Sequence, residues 1–226
     1  MDKQLIEYLS QFVNDDRLQL FRRMLENRTR YLTIVLEDIF QPQNASAVLR
    51  SADCFGIQDI HIIENQNEFT VDREVAMGSS KWLNLKNYNT GADNSSNAIR
   101  NLKAEGYRIV ATSPHFESCV SLENFDLRKG KAALVFGTEL TGISDKIKKE
   151  ADEFLKIPMY GFTESLNISV SAAIIMHHLT LRMKIETGID WKLNDDERDR
   201  ALLLWLRKTI KQSDLLEKKF YELHEK

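Results

Sequence analysis

Three short stretches of this chain gather small and polar side chains at spacings that could do chemistry. The first runs from Asn44 to Gly56 and reads Asn-Ala-Ser-Ala-Val-Leu-Arg-Ser-Ala-Asp-Cys-Phe-Gly. On a helix, Ala47, Arg50 and Cys54 fall near one face, and Asn44 sits at the N-terminus, where its amide can cap. Gly56 is placed to end that helix. Alone, a cap and a surface cation explain Asn44 and Arg50 as well as a site does. The second stretch, Phe136 to Ile143, leads into a loop where Gly137 and Gly142 flank Glu139. Glycine lets backbone amides come close to a ligand, and a carboxylate beside them can anchor a polar group. The third, Ile157 to Ala173, shapes a loop with Pro158 and Gly161. It then offers Ser165 and Asn167 at the start of a helix rich in small residues.

Such residues need elements to hold them. Strands are expected at Leu32–Glu37, Asp59–Ile63, Tyr107–Thr112, Ala132–Phe136 and Phe154–Ile157, where short β-rich runs end in turn formers. Helical patterns lie between them at about Ala45–Phe55, Asn94–Glu105 and Ser144–Glu150, with a long one at Asn167–Glu186. This alternation predicts an α/β fold, a parallel sheet covered by helices on both faces. In such sheets ligands bind outside the carboxyl ends of the strands. Residues 1–30 read as one or two amphipathic helices, with Leu5, Leu9, Phe12 and then Leu18, Phe21, Leu25 at helical spacing. About Asp196–His224 reads as one longer helix with a single apolar stripe, and the polar Asn87–Asn97 as a surface loop. Three regions are therefore expected: a helical extension over 1–30, an α/β domain over 31–188 and a second extension over 189–226.

Composition narrows the chemistry. Hydrophobic residues at 42% and charged residues at 29% suit a folded globular chain rather than a disordered one. Cys54 and Cys119 are the only cysteines, without a CxxC, which argues against a disulfide scaffold or structural zinc and for a reducing compartment. No apolar run approaches the ~18 residues that suggest a membrane span. The opening MDKQLIEYLSQFVNDD lacks the pattern of a signal peptide, so a cytoplasmic protein is expected. There is no P-loop, no GxGxxG after a strand and no GxSxG. The five histidines show no metal-ligand spacing, so no metal is expected. A net charge of −3 supplies no global attraction to a polyanion. Locally, however, Arg17, Arg22, Arg23, Arg28 and Arg30 cluster against Glu26 alone, and Arg207–Lys219 is cation-rich. Each cluster reads as a solvated helix face or as a footprint for nucleic acid.

Together and in this order, the three stretches resemble the SPOUT superfamily of RNA methyltransferases, specifically its TrmH-type ribose 2′-O-methyltransferases. Asn44–Gly56 matches N-x-S/A-A-x-x-R-S/T-x-D-x-x-G, and Phe136–Ser144 matches F/M-G-x-E-x-x-G-I/L-S. Ile157–Val170 matches I-P-M-x-G-x-x-x-S-L-N-x-S-V. The resemblance spans roughly Leu32 to Met183. It implies a sheet whose C-terminal part forms a deep trefoil knot, S-adenosyl-L-methionine as cofactor, and a homodimer with active sites at the interface. By motif it assigns Thr112, Gly137, Ile157 and Leu166 to the cofactor. It assigns Arg50 as the principal catalytic residue, with Asn44, Glu139, Ser165 and Asn167 beside it.

The short extensions resemble those of the enzymes that methylate guanosine 18 of the tRNA D-loop, which implies tRNA as partner. A ribosomal RNA 2′-O-methyltransferase and a non-catalytic RNA-binding dimer of the same fold are the alternatives.

Overall fold

The computed structural model describes residues 2–113, 118–138 and 141–224. The chain divides into two compact units, residues 30–191 and residues 1–29 joined with 192–226.

The larger unit is an α/β sheet built as the alternation predicts. Its strands are β1 (Leu32–Glu37), β2 (Asp59–Ile63), β3 (Asn84–Tyr88), β4 (Arg108–Thr112), β5 (Val120–Ser121), β6 (Ala132–Phe136) and β7 (Glu153–Lys156). All pairings are parallel, in the order β3-β2-β1-β6-β4-β7-β5. β6 thus inserts between β1 and β4, with Ile34 level with Leu134 on one side and Val110 level with Leu134 on the other. Strand side chains alternate between two cores. Leu32, Ile34, Leu36, Leu134 and Phe136 pack towards α3 (Pro42–Cys54) and α7 (Ile168–Ile185). Val35, Ile109, Ala111, Ala133 and Val135 pack with α5 (Asn94–Ala104) and α6 (Asp145–Glu150). β1, β2 and β6 are buried along their whole length, as strands covered on both faces must be.

Two strands and the short helix α4 (Arg73–Ala76) escaped the sequence pattern. β3 (Asn-Leu-Lys-Asn-Tyr) is a half-buried edge strand with no apolar run, and its last two residues fall in the segment expected to be a loop. The rest of that segment contains the turn into α5 and its first residues, capped by Asp93, whose side chain accepts from Ser96 N. β5 is only two residues long.

The smaller unit contains α1 (Asp2–Ser10), α2 (Asp15–Leu25), α8 (Asp195–Thr209) and α9 (Ser213–His224). Here the expected single C-terminal helix is corrected: the chain breaks at Gln212, which adopts a left-handed φ of 59°. The break lets α8 and α9 both pack on α1, burying Leu5, Leu9, Trp205, Leu206 and Phe220. Asn194 and Glu197 form a reciprocal capping box at the start of α8.

Candidate active site

The carboxyl ends of β4, β6 and β7 open on one cavity of about 710 Å3, within the ~300–1,000 Å3 typical of small-molecule clefts. Thr112 closes β4, and its hydroxyl donates to Val135 O on β6 at 2.8 Å, which holds the two strand ends together. Gly137 follows β6 directly. A Cβ at this position would come within 2.2 Å of Gly142 O and 2.4 Å of Ile143 N, so only glycine lets the loop fold this tightly. Thr138 and Gly142 exchange two backbone hydrogen bonds, at 2.9 and 3.0 Å, and Gly142 takes a φ of 68° that suits glycine. The second wall is the segment from Ile157 to Asn167, and Ile168, Ser171 and Ile175 of α7 contribute the cavity's helical side.

Of the residues expected to hold a cofactor, Thr112, Gly137, Ile157 and Leu166 all line this cavity. Ser165 and Asn167 line it as well. Asn167 is the N-cap of α7: its Oδ1 accepts from Ser169 N at 2.8 Å and Ser169 Oγ at 2.6 Å. Its Nδ2 donates to Asn44 Oδ1 at 3.1 Å, which ties the first motif to the third across 123 residues of sequence. Asn44 is not a helix cap. α3 begins earlier, at Pro42, because proline is favoured in the first turn of a helix. Asn44 is buried instead, donating to Gln41 Oε1 at 2.9 Å while receiving Asn167. Gly56, by contrast, ends α3 as expected, with a φ of 81° and Ile57 N donating back to Ala52 O.

Arg50 stands apart from the cavity lining. It is exposed on α3 and pairs with no carboxylate among the described residues. Glu139 lies outside the described residues. Several lining residues were not singled out from sequence, among them Ser113, Thr141, Lys148, Lys156, Met159 and Ser171. Ser113 and Lys156 could have been found by asking what borders each strand end. Lys148 could not, since its helix carries five charges in six residues. Among the described residues no cluster of His, Cys, Asp or Glu could hold a metal ion.

The family profile for SpoU rRNA methylases matches residues 31–177. The chain belongs to the SpoU methylase family. It is 44% identical over 212 residues to a tRNA (guanosine(18)-2′-O)-methyltransferase of Borreliella burgdorferi, covering 94% of each. Among solved structures, the A. aeolicus TrmH/SpoU tRNA-modifying enzyme superposes with a TM-score of 0.76 at 26% identity, covering 88% of this chain and 98% of that one. The SpoU methyltransferase AviRb from Streptomyces viridochromogenes, solved in complex with AdoMet, shares the fold with a TM-score of 0.58 at 22% identity. That match covers 73% of this chain and 62% of that one. In this SpoU chain the family match takes in the sheet and all three motifs.

Proposed function

We propose that this SpoU protein methylates the ribose 2′-hydroxyl of guanosine 18 in tRNA, using S-adenosyl-L-methionine, as a cytoplasmic homodimer. The observation that carries the proposal is the convergence of Thr112, Gly137, Ile157 and Leu166 on a single cavity at the strand ends. The cavity fits the cofactor in chemistry as well as volume. Gly137 brings its backbone to the cavity to read an adenine edge, Ile157 and Leu166 form apolar walls, and Ser165 and Asn167 add short polar groups. The bound cofactor supplies an electrophilic methyl on a sulfonium.

The chain's own residues must make a weak nucleophile attack that methyl. As the new C–O bond forms and the S–C bond breaks, the hydroxyl loses its proton, so developing negative charge needs an electrostatic partner. A guanidinium stays protonated throughout, so Arg50 is assigned to stabilise the forming oxyanion while solvent takes the proton, or to clamp the neighbouring phosphate, which then takes the proton. Asn44 and Glu139 orient Arg50 and the ribose. Ser165 and Asn167 shape the loop around the sugar.

Two features support a homodimer. α7 is apolar on both sides: Ala172, Ile175, Met176, Leu179 and Met183 enter its own core, while Val170, Ile174, Leu181 and Ile185 face solvent. A helix apolar all round is normally covered on every side. Arg50, on the helix packed beside α7, is also exposed and absent from its own cavity. A second copy seated on this face brings Arg50 to the partner's cavity. The trefoil knot that the family resemblance implies belongs to the same reading.

For tRNA binding, Arg17, Arg22 and Arg23 are exposed on α2. Arg28 and Arg30 are used otherwise. Arg28 lies over the Trp205 ring at 5.2 Å, and Arg30 pairs with Asp59 at 3.0 Å. Incubating total RNA with purified protein and methyl-labelled S-adenosylmethionine tests the assignment. Label is expected in tRNA, and label confined to ribosomal RNA selects the ribosomal alternative instead.

A further inference from the structure

One buried carboxylate in the sheet unit has no part in the chemistry above. Glu37 closes β1 and is 2% exposed. Its Oε1 accepts from Ser95 Oγ at 2.6 Å and from Ser144 Oγ at 2.7 Å, and its Oε2 accepts from the backbone N of Ser144 at 2.9 Å. Burying a carboxylate is costly unless donors meet it, and these three distances are short enough to be charge-assisted. The next core residue on the same face of β1, Val35, is apolar, so the core itself gives no reason for a carboxylate here.

Position gives the reason. Ser144 directly follows Gly142 and Ile143, which both line the cavity. The loop leaves β6 at Gly137, is cross-tied between Thr138 and Gly142, and is then pinned at Ser144 to the end of the neighbouring strand. Ser144 also caps α6, its Oγ accepting from Ile147 N at 3.3 Å. On the Ser95 side the same carboxylate grips the first turn of α5, which contributes nothing to the cavity lining.

We infer that Glu37 is a positioning residue for the methyltransferase, a clasp that, through Ser144, fixes Gly142 and Ile143 in their places on the cofactor cavity. The inference rests on the reading of the cavity as the S-adenosylmethionine site. Glu37 touches neither cofactor nor substrate; it acts through the loop. Glu37→Gln keeps the shape and removes the charge: its NH2 can meet the serine hydroxyls, which accept as well as donate, but the charge assistance that holds Ser144 is lost.

Calorimetry with S-adenosylmethionine, alongside steady-state kinetics, tests the clasp in the full-length protein. Glu37→Gln and Ser144→Ala are expected to raise the cofactor Kd about tenfold or more, the scale of a lost charge-assisted hydrogen bond. The cofactor KM should rise with it, by more than the KM for tRNA. Ser144→Thr, which keeps the hydroxyl, should restore binding, and Ser95→Ala should leave it unchanged. Folded Glu37→Gln and Ser144→Ala proteins that bind like wild type overturn the clasp and leave the cavity reading intact. So does a Ser95→Ala protein weakened as much as they are. If Glu37→Gln does not fold, the Ser144 pair decides alone. Wild-type protein that binds no cofactor overturns the cavity reading and the clasp with it.

Discussion

Arg50 and Gly137 mark two kinds of residue that sequence treats differently. Gly137 was readable from its neighbours, because a glycine straight after an apolar strand signals close approach, and the Cβ contact at 2.2 Å to Gly142 O supplies the physical cause. A Gly137→Ala protein must shift that backbone, and overpacking of about 1–3 kcal/mol is the usual consequence. Cofactor affinity should therefore fall at least about tenfold by calorimetry, and unchanged binding would remove the loop from the cofactor site. Arg50 was readable as a motif residue, but its surroundings were not. Side-chain spacing places it on a helix face and says nothing of what that face meets. Arg50→Lys keeps the charge and loses the planar fork, so methyl transfer should drop about a hundredfold, on the scale of one lost oxyanion partner, with cofactor binding intact. Near-wild-type turnover would count against either role given to its guanidinium. Asn44 shows the opposite limit. Its type suggested a cap, but its real partner, Asn167, lies in a motif far along the chain, and no local pattern encodes such a pair.

Among the elements, strands buried on both faces were the most legible, since β1, β2 and β6 are compact, mostly apolar runs. β3 was not, because an edge strand has less to bury and uses polar residues. The break between α8 and α9 was hidden because the stripe continues through it in register, and only a left-handed Gln212 redirects the chain. The β2–β3 edge also carries a pH-sensitive pair. His61 is fully buried, stacked on Tyr88 with Nδ1 3.0 Å from the phenol oxygen. Burial above all, aided by Lys86 and opposed by Asp59 and Glu105, pushes the imidazole down to about 4. The unfolded chain takes up a proton near pH 6.5, whereas folded His61 refuses it until about pH 4. Stability should thus be insensitive to this group above pH 6.5 and should fall by about 3 kcal/mol as pH drops from 6.5 to 4. Urea unfolding across that range would detect the slope. His61→Phe should flatten it, and an identical slope in both proteins would contradict the assignment.

For the whole molecule, the sheet's order and the joining of both chain ends in one helical unit lay beyond sequence pattern. Both depend on contacts between residues far apart, such as those of α1 with α8 and α9. The same is true of the partner. Exposed Ile174 and Leu181 on α7 cost little to a pattern reader, because the helix looks like ordinary core. Charging that face tests the proposed dimer: Ile174→Glu with Leu181→Glu should run as a monomer in analytical ultracentrifugation. That monomer should lose methyl transfer, since each cavity then lacks its partner's Arg50. A dimer of wild-type strength would place the interface elsewhere. The most direct test of the methyl-transfer assignment is nucleoside mapping by mass spectrometry of tRNA incubated with the wild-type protein and S-adenosylmethionine. The expected result is 2′-O-methylguanosine at position 18, absent with Arg50→Ala. A methyl group at another site, or transfer that persists without Arg50, would contradict it.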